Sequence, residues 1–149
     1  MHTESSEATE ELGRKIGQNL KGGEIIELVS DLGGGKTTLV RGIAKGLGSQ
    51  DNVTSPTFTI SREYHADKLR IVHYDFYRLQ DPGIMSHELA ESLEDPHATI
   101  IIEWADIVHD VLSGRSRVTI TISSTGETQR EIQISAPHDL EYVLSKVEL

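Results

Sequence analysis

VSDLGGGKTTLV (residues 29–40) decides how the chain is read, because it nearly spells a phosphate-binding loop. The full pattern, G-x-x-x-x-G-K-[ST], places its first glycine five residues before the last. Counting back from Gly35-Lys36-Thr37, that position holds Ser30. A loop of this kind needs backbone N–H groups converging on phosphate oxygens, and bulky side chains cannot stand that close to the ligand. Gly33, Gly34 and Gly35 meet the requirement, and the start of a helix adds its partial positive charge. Lys36 is placed to reach the outer phosphates, Thr37 to ligate Mg²⁺, and Thr38 to add an N–H and a hydroxyl. With Leu32 these residues form the candidate nucleotide-binding set. If position 30 requires a left-handed backbone, serine costs about 1–2 kcal/mol there relative to glycine, a strain that functional sites tolerate.

The flanks agree with this reading. EIIELVS (24–30) is a short apolar run that predicts a buried strand, and TTLVRGIAKGL (37–47) repeats apolar residues at helical spacing. Before them, Ala8, Leu12, Ile16 and Leu20 fall four apart on one helical face, ended by Gly22-Gly23. Beyond them, FTISREYH (58–65) and LRIVHYDFY (69–77) alternate around a turn at 66–68 and predict a hairpin. A short helix is expected over 86–93, and ATIIIEW (98–104) reads as a second buried strand ending in an acid. RVTITISS and TQREIQIS predict another hairpin. Pro137 suits the first position of a C-terminal helix over 138–147. The whole is expected to be one α/β domain over 1–149, a phosphate-loop NTPase. Its central mixed sheet has parallel core strands and antiparallel hairpins, flanked by helices.

Composition narrows the function. With 14 basic and 24 acidic side chains the formal net charge is −10, so tight nucleic-acid binding by this chain alone is not expected. There is no cysteine, which excludes disulfides and thiolate metal sites. No apolar run approaches the ~20 residues that cross a bilayer, and the polar N-terminus lacks a signal-peptide core. The expectation is a cytoplasmic protein.

A magnesium–nucleotide site also calls for an acid at the end of a neighbouring strand. Glu103, closing TIIIE, takes that place, although a surface glutamate is the plain alternative. Asp75 in HYDFYR is the second acid, set among His73, Tyr74, Tyr77 and Arg78. Its plain alternative is the solvated face of a hairpin.

With these residues named, the chain resembles the TsaE family, the P-loop ATPases of bacterial tRNA threonylcarbamoyladenosine biosynthesis. The likeness runs in order through ATEELG, DLGGGKTTLVRG, SPTFTI (55–60), HYDFYRL (73–79) and IIEWAD (101–106). It implies a slow ATPase using ATP and Mg²⁺. Its partners would be a catalytic threonylcarbamoyl-transfer protein and the scaffold paralogue of that protein, with tRNA met only through them. It further implies that Lys36 holds phosphate, that Thr37 and Glu103 serve Mg²⁺, and that Thr57 faces the γ-phosphate in a switch loop. Asp75 would orient metal or attacking water, while Arg130 and Ser6 would approach the nucleotide. For these last two, an exposed strand arginine and a helix cap are the plain readings; for Trp104 it is core or interface packing. Ser30 and Ala105 depart from the family pattern, which usually has glycine and often proline there. A small-molecule kinase is the competing class, but no lid bearing arginines is evident. A GTPase-like switch lacks the [NT]-K-x-D run that reads guanine. A nucleotide-binding adaptor without hydrolysis is the third alternative.

Overall fold

The parallel strands carry the architecture, and their order explains where a ligand can go. The computed structural model describes residues 1–31, 33–54, 56, 60–77, 79–81 and 83–148. The predicted roles of Leu32 and Thr57, together with most of the SPTF segment, lie outside the described residues. Strands β1 (His2–Thr3), β2 (Ile25–Ser30), β3 (Ser61–His65), β4 (Arg70–Asp75), β5 (Ala98–Glu103), β6 (Val118–Ser124) and β7 (Arg130–Ser135) form one sheet. Its order is β1-β7-β6-β2-β5-β4-β3. The four central strands β6, β2, β5 and β4 are parallel to their neighbours among themselves, while β1, β7 and β3 pair antiparallel at the two edges. This is the mixed sheet expected, with hairpins β3–β4 and β6–β7.

Helices cover both faces. On one side α1 (Ser6–Asn19) and α2 (Lys36–Leu47) pack over Ile26, Leu28, Ile71, Ile101 and Ile120. On the other, α3 (Gly83–Leu93) and α4 (His109–Leu112) contribute Leu89 and Leu112 over Ile25, Val72, Tyr74, Ile100 and Ile102. Because side chains alternate along a strand, His73 and Asp75 share the face of Ile71, and Glu103 shares that of Ile101. All three therefore look toward α2, whose first residue is Lys36.

Helices α1 and α2 touch backbone to backbone. A Cβ on Gly42 would lie 2.0 Å from the Glu10 carbonyl oxygen, one on Gly46 2.0 Å from that of Arg14, and one on Gly17 2.1 Å from that of Ile43. The G-x-x-x-G spacings 13/17 and 42/46 announce this close approach, and periodicity alone did not reveal it. Gly42→Ala would add roughly 1 kcal/mol of helix propensity, yet it is expected to destabilise the protein by about 1–3 kcal/mol because α1 must move aside. Urea unfolding checks the sign; a stabilised variant would mean that the two helices separate freely.

Several expectations need correction. Ser30 ends β2 in extended backbone, and the described non-glycine residues with positive φ are Trp104 and Lys146. The anticipated strain at Ser30 is absent, since Gly33 (φ 74°) and Gly35 (φ 98°) take the left-handed turns. Strand β4 is buried on both faces from Ile71 to Tyr74, because Ile71 joins the core under α1 and α2 while Val72 and Tyr74 join the one under α3 and α4. Asp75 is therefore not on a solvated hairpin face. The third helix starts at Gly83 rather than Ser86. A 3₁₀ turn (Ala105–Val108) and α4 follow Trp104, where no element was predicted. The C-terminal segment is a 3₁₀ helix, His138–Leu144, and not an α-helix to residue 147. Asn19 Nδ2 claims the Val143 and Ser145 carbonyls at 2.9 and 2.6 Å, and the Tyr142 hydroxyl donates to Glu24 at 2.6 Å. These tertiary bonds tie the segment to the end of α1 and to Glu24. Ser5, not Ser6, caps α1, accepting the Ala8 N–H on its hydroxyl at 3.1 Å.

Candidate functional site: a phosphate-loop cleft

In open α/β sheets, ligands bind beyond the carboxyl ends of parallel strands, where crossovers diverge to either side. Here β2 is that strand, flanked by β5 and β6. Ser30, Glu103 and Asp75 end β2, β5 and β4 at this edge. Strand β7 runs the other way, so its first residue, Arg130, returns to the same edge opposite Ser124. The result is a cleft of about 320 Å³ lined by Gly33, Gly34, Gly35, Lys36, Thr37, Thr38, Asp75, Glu103 and Arg130. A narrow extension joins Ser6 and Thr9 of α1 to Gly35, Thr38, Thr128 and Arg130.

The loop fits an anion. Gly35 is the N-cap of α2 and offers no side chain to the first-turn N–H groups, which leaves them for a ligand. A Cβ on Gly34 would fall 1.7 Å from the Ser30 hydroxyl oxygen, so a side chain at 34 would force that hydroxyl to turn away. Arg130 Nε donates to the Gly34 carbonyl at 2.9 Å, and its Nη1 donates to the carbonyls of Gly126, Glu127 and Gln129 at 3.1, 3.3 and 2.7 Å. Arg130 is thus not an ordinary exposed arginine: it ties the β6–β7 turn to the phosphate loop. That contact joins ends of the chain far apart in sequence, and nothing local foretold it.

Lys36 is largely buried. Its ammonium meets Glu103 Oε1 at 3.1 Å and donates to the Ser30 carbonyl at 3.3 Å. The other Glu103 oxygen, Oε2, lies 2.6 Å from His73 Nε2. Burial alone would raise the Glu103 carboxyl, but His73 and Lys36 outweigh it and hold the group below the ordinary glutamate range. Asp75 is Glu103's register neighbour and goes the other way. Burial pushes its carboxyl up, the Glu103 charge adds to this, and the Tyr77 N–H (3.0 Å) and Lys36 oppose it. Two adjacent acids driven apart in this manner are suited to different tasks. The charge on Glu103 is favoured by its two partners, and the charge on Asp75 is disfavoured by its burial and by Glu103.

The donor set also fits Mg²⁺. Among the described residues no cluster of three or more histidines and acids could hold an ion by itself. A hydroxyl (Thr37) and a carboxylate (Glu103) share the cleft, and Mg²⁺ ordinarily takes one or two carboxylates and completes its shell with phosphates and water.

Trp104 is not core. It is 40% exposed, adopts a left-handed backbone (φ 59°), lies 5.0 Å from the Tyr77 ring, and has the Lys36 ammonium 5.4 Å from its own. Ala105 behind it is buried and opens the 3₁₀ turn. His73, completely buried, is named by the sequence only as one of the polar and aromatic neighbours of Asp75 that could line a site. The strand period, which puts it on Asp75's face, was the available signal.

The family model for threonylcarbamoyl adenosine biosynthesis protein TsaE matches residues 3–132. The chain is 37% identical over 129 residues to the tRNA threonylcarbamoyladenosine biosynthesis protein TsaE of Nostoc sp., covering 85% of this chain and 80% of that protein. Its identity to the protein of the same name from Bacillus subtilis is 35% over 135 residues, with 90% and 83% covered. The crystal structure of Bacillus subtilis YdiB superposes with a TM-score of 0.74 at 28% identity, spanning 98% of this chain and 90% of that one. The matched span runs from β1 into β7 and so takes in every residue of the cleft; the chain belongs to the TsaE family of tRNA threonylcarbamoyladenosine biosynthesis.

Proposed function

We propose that the chain binds ATP with Mg²⁺ and hydrolyses it slowly, as an accessory protein for threonylcarbamoyl transfer to the adenosine beside the tRNA anticodon. The observation that carries this reading is the convergence of the glycine loop, Lys36, Thr37, Asp75, Glu103 and Arg130 on one cleft. The loop N–H groups and Lys36 would bind the outer phosphates. Thr37 and Glu103 would hold Mg²⁺, which when bound neutralises charge on those phosphates. Asp75 would accept a hydrogen bond from the attacking water and take up its proton as the γ-phosphoryl leaves. The Ser6 and Arg130 side of the cleft would receive the remainder of the nucleotide. Localisation in the cytoplasm follows from the same reading; among the described residues no helix is long and apolar enough to cross a membrane.

Dependence on partners rests on what the described residues of the cleft lack. An arginine delivered to the transferring phosphoryl group is worth 10³–10⁵ in rate in related hydrolases. Arg130, the arginine that lines the cleft among the described residues, already donates to four backbone carbonyls. Such a site binds ATP well and turns it over slowly until another surface completes it. With a net charge of −10, that surface belongs to a protein complex and not to tRNA directly. The test is phosphate release across a titration of the threonylcarbamoyl-transfer catalytic protein with its scaffold paralogue. At least a tenfold rise is expected, with different affinity of the complex for the ATP and ADP forms. A flat rate with equal affinities would overturn partner dependence, and phosphate passed to a nucleoside in place of water would mean a kinase.

A further inference from the structure

Outside the cleft-lining set, the buried polar group with the most direct line to the chemistry is His73. Its side chain is 1% exposed in the middle of β4, two residues before Asp75 on the same face. Nε2 lies 2.6 Å from Glu103 Oε2. An ionised carboxylate only accepts hydrogen bonds, so Nε2 carries the proton and donates it. The other ring nitrogen, Nδ1, is buried with no hydrogen-bond partner among the described residues. Burying a polar atom unpaired costs free energy, and this imidazole is therefore a poor choice if its role were only to fill the core. An apolar side chain would fill the same space on the α2 face of β4 without that cost. What the imidazole does uniquely is fix one carboxylate oxygen.

We propose that His73 is a positioning residue for Glu103: it holds Oε2 so that Oε1 stays turned toward Lys36 and the phosphate loop, presented to the divalent cation of a bound nucleotide. The proposal rests on the nucleotide reading above. Two restraints act on the one carboxylate, the Nε2–H on Oε2 and the Lys36 ammonium on Oε1. When Lys36 turns to phosphate, the His73 bond is the one that remains, among the described residues, to define the carboxylate's rotation. Hydrogen bonds to ligating carboxylates typically account for 10–100-fold in metal affinity.

The experiment compares wild type with His73→Leu, His73→Asn and His73→Gln. Glutamine carries its amide N–H about as far from the backbone as Nε2, whereas asparagine reaches only about as far as Nδ1. Two quantities are measured: ADP affinity without metal, by calorimetry, and Mn²⁺ affinity of the ADP complex, by electron paramagnetic resonance. Expected are unchanged metal-free ADP binding in all four proteins and a 10–100-fold loss of Mn²⁺ affinity in the leucine and asparagine variants. Glutamine should recover to within a few-fold of wild type. Equal Mn²⁺ affinity in all the folded variants, or a glutamine variant no better than asparagine, overturns the proposal. The asparagine–glutamine pair decides the matter if the leucine variant does not fold. If wild type itself binds ADP without any Mn²⁺ enhancement, the nucleotide–metal reading fails first, and that is a different result from four equal affinities.

Discussion

Replacing Lys36 by alanine is expected to weaken ATP binding by about 10–100-fold, the worth of one hydrogen bond to a charged group, and to lower hydrolysis by roughly a further 10²–10³-fold. The second loss is the usual effect of removing a single donor to developing charge in a closed site. The structure adds an expectation that an exposed-loop picture of Lys36 would not. The ammonium is largely buried against Glu103 Oε1 at 3.1 Å, so its removal leaves an anion short of a partner. Breaking a buried ion pair typically costs about 3–5 kcal/mol; His73 still satisfies Oε2, so roughly 1–3 kcal/mol is expected here. The variant should fold, with a lower urea midpoint. Because Glu103 is held below the usual glutamate range, the stability it contributes is present above the unfolded glutamate pKa and is lost as pH falls through the lower folded value. Without Lys36 that depression shrinks, and the acid limb of the variant's stability curve should move to higher pH. A folded Lys36→Ala protein that binds ATP as tightly as wild type in calorimetry would remove the phosphate role.

How much of this was legible beforehand depended on whether the relevant contact was local. The strand–loop–helix unit 25–47 was, because an apolar run, a glycine cluster and a helical period adjoin in sequence. Glu103 was legible as the acid closing ATIIIE, since a strand buried along its length has its first freedom to be polar at its end. Asp75 was visible as a residue but not as an environment. Its burial is a tertiary effect, and the Glu103 charge beside it comes from a strand pairing across 28 residues. Arg130 and Ser6 lay beyond local reasoning for the same cause. One reaches the loop because β7 runs antiparallel, the other because α1 packs backbone to backbone on α2. Ser30 shows the opposite failure: a motif suggested strain, whereas the chain simply completes its strand there and turns at Gly33 and Gly35. At the C-terminus Pro137 marks the start of a helix, but the segment is a 3₁₀ helix that ends at Leu144 and is tied to Asn19 and Glu24.

Asp75→Asn is the second large effect, and it should act in two directions at once. Hydrolysis is expected to fall by about 10²–10⁴-fold, the usual contribution of a positioned proton acceptor. ATP affinity should change little, because the loop and Lys36 are untouched. Stability should rise. The Asp75 carboxyl sits above its unfolded value, chiefly through burial and then through the Glu103 charge. A raised acid is a net cost to the fold when ionised: the cost is absent below the unfolded pKa of about 3.9 and is complete above the folded one. Wild type and variant should therefore be similarly stable near pH 4. They should diverge as pH rises through the folded pKa, the variant gaining up to about 1 kcal/mol once partial exposure and salt screening are allowed for. Such a gain is the usual mark of a residue kept for activity at the expense of stability. Urea unfolding at a series of pH values, beside single-turnover hydrolysis with the variant saturated in ATP, separates the possibilities. A variant that hydrolyses normally would place Asp75 outside the chemistry whatever its stability. One that is inactive and destabilised at neutral pH would make it a structural acid whose hydrogen bond to the Tyr77 N–H outweighs its desolvation. Only inactivity together with a pH-dependent gain in stability fits a carboxylate held, at a cost to the fold, where water must lose a proton.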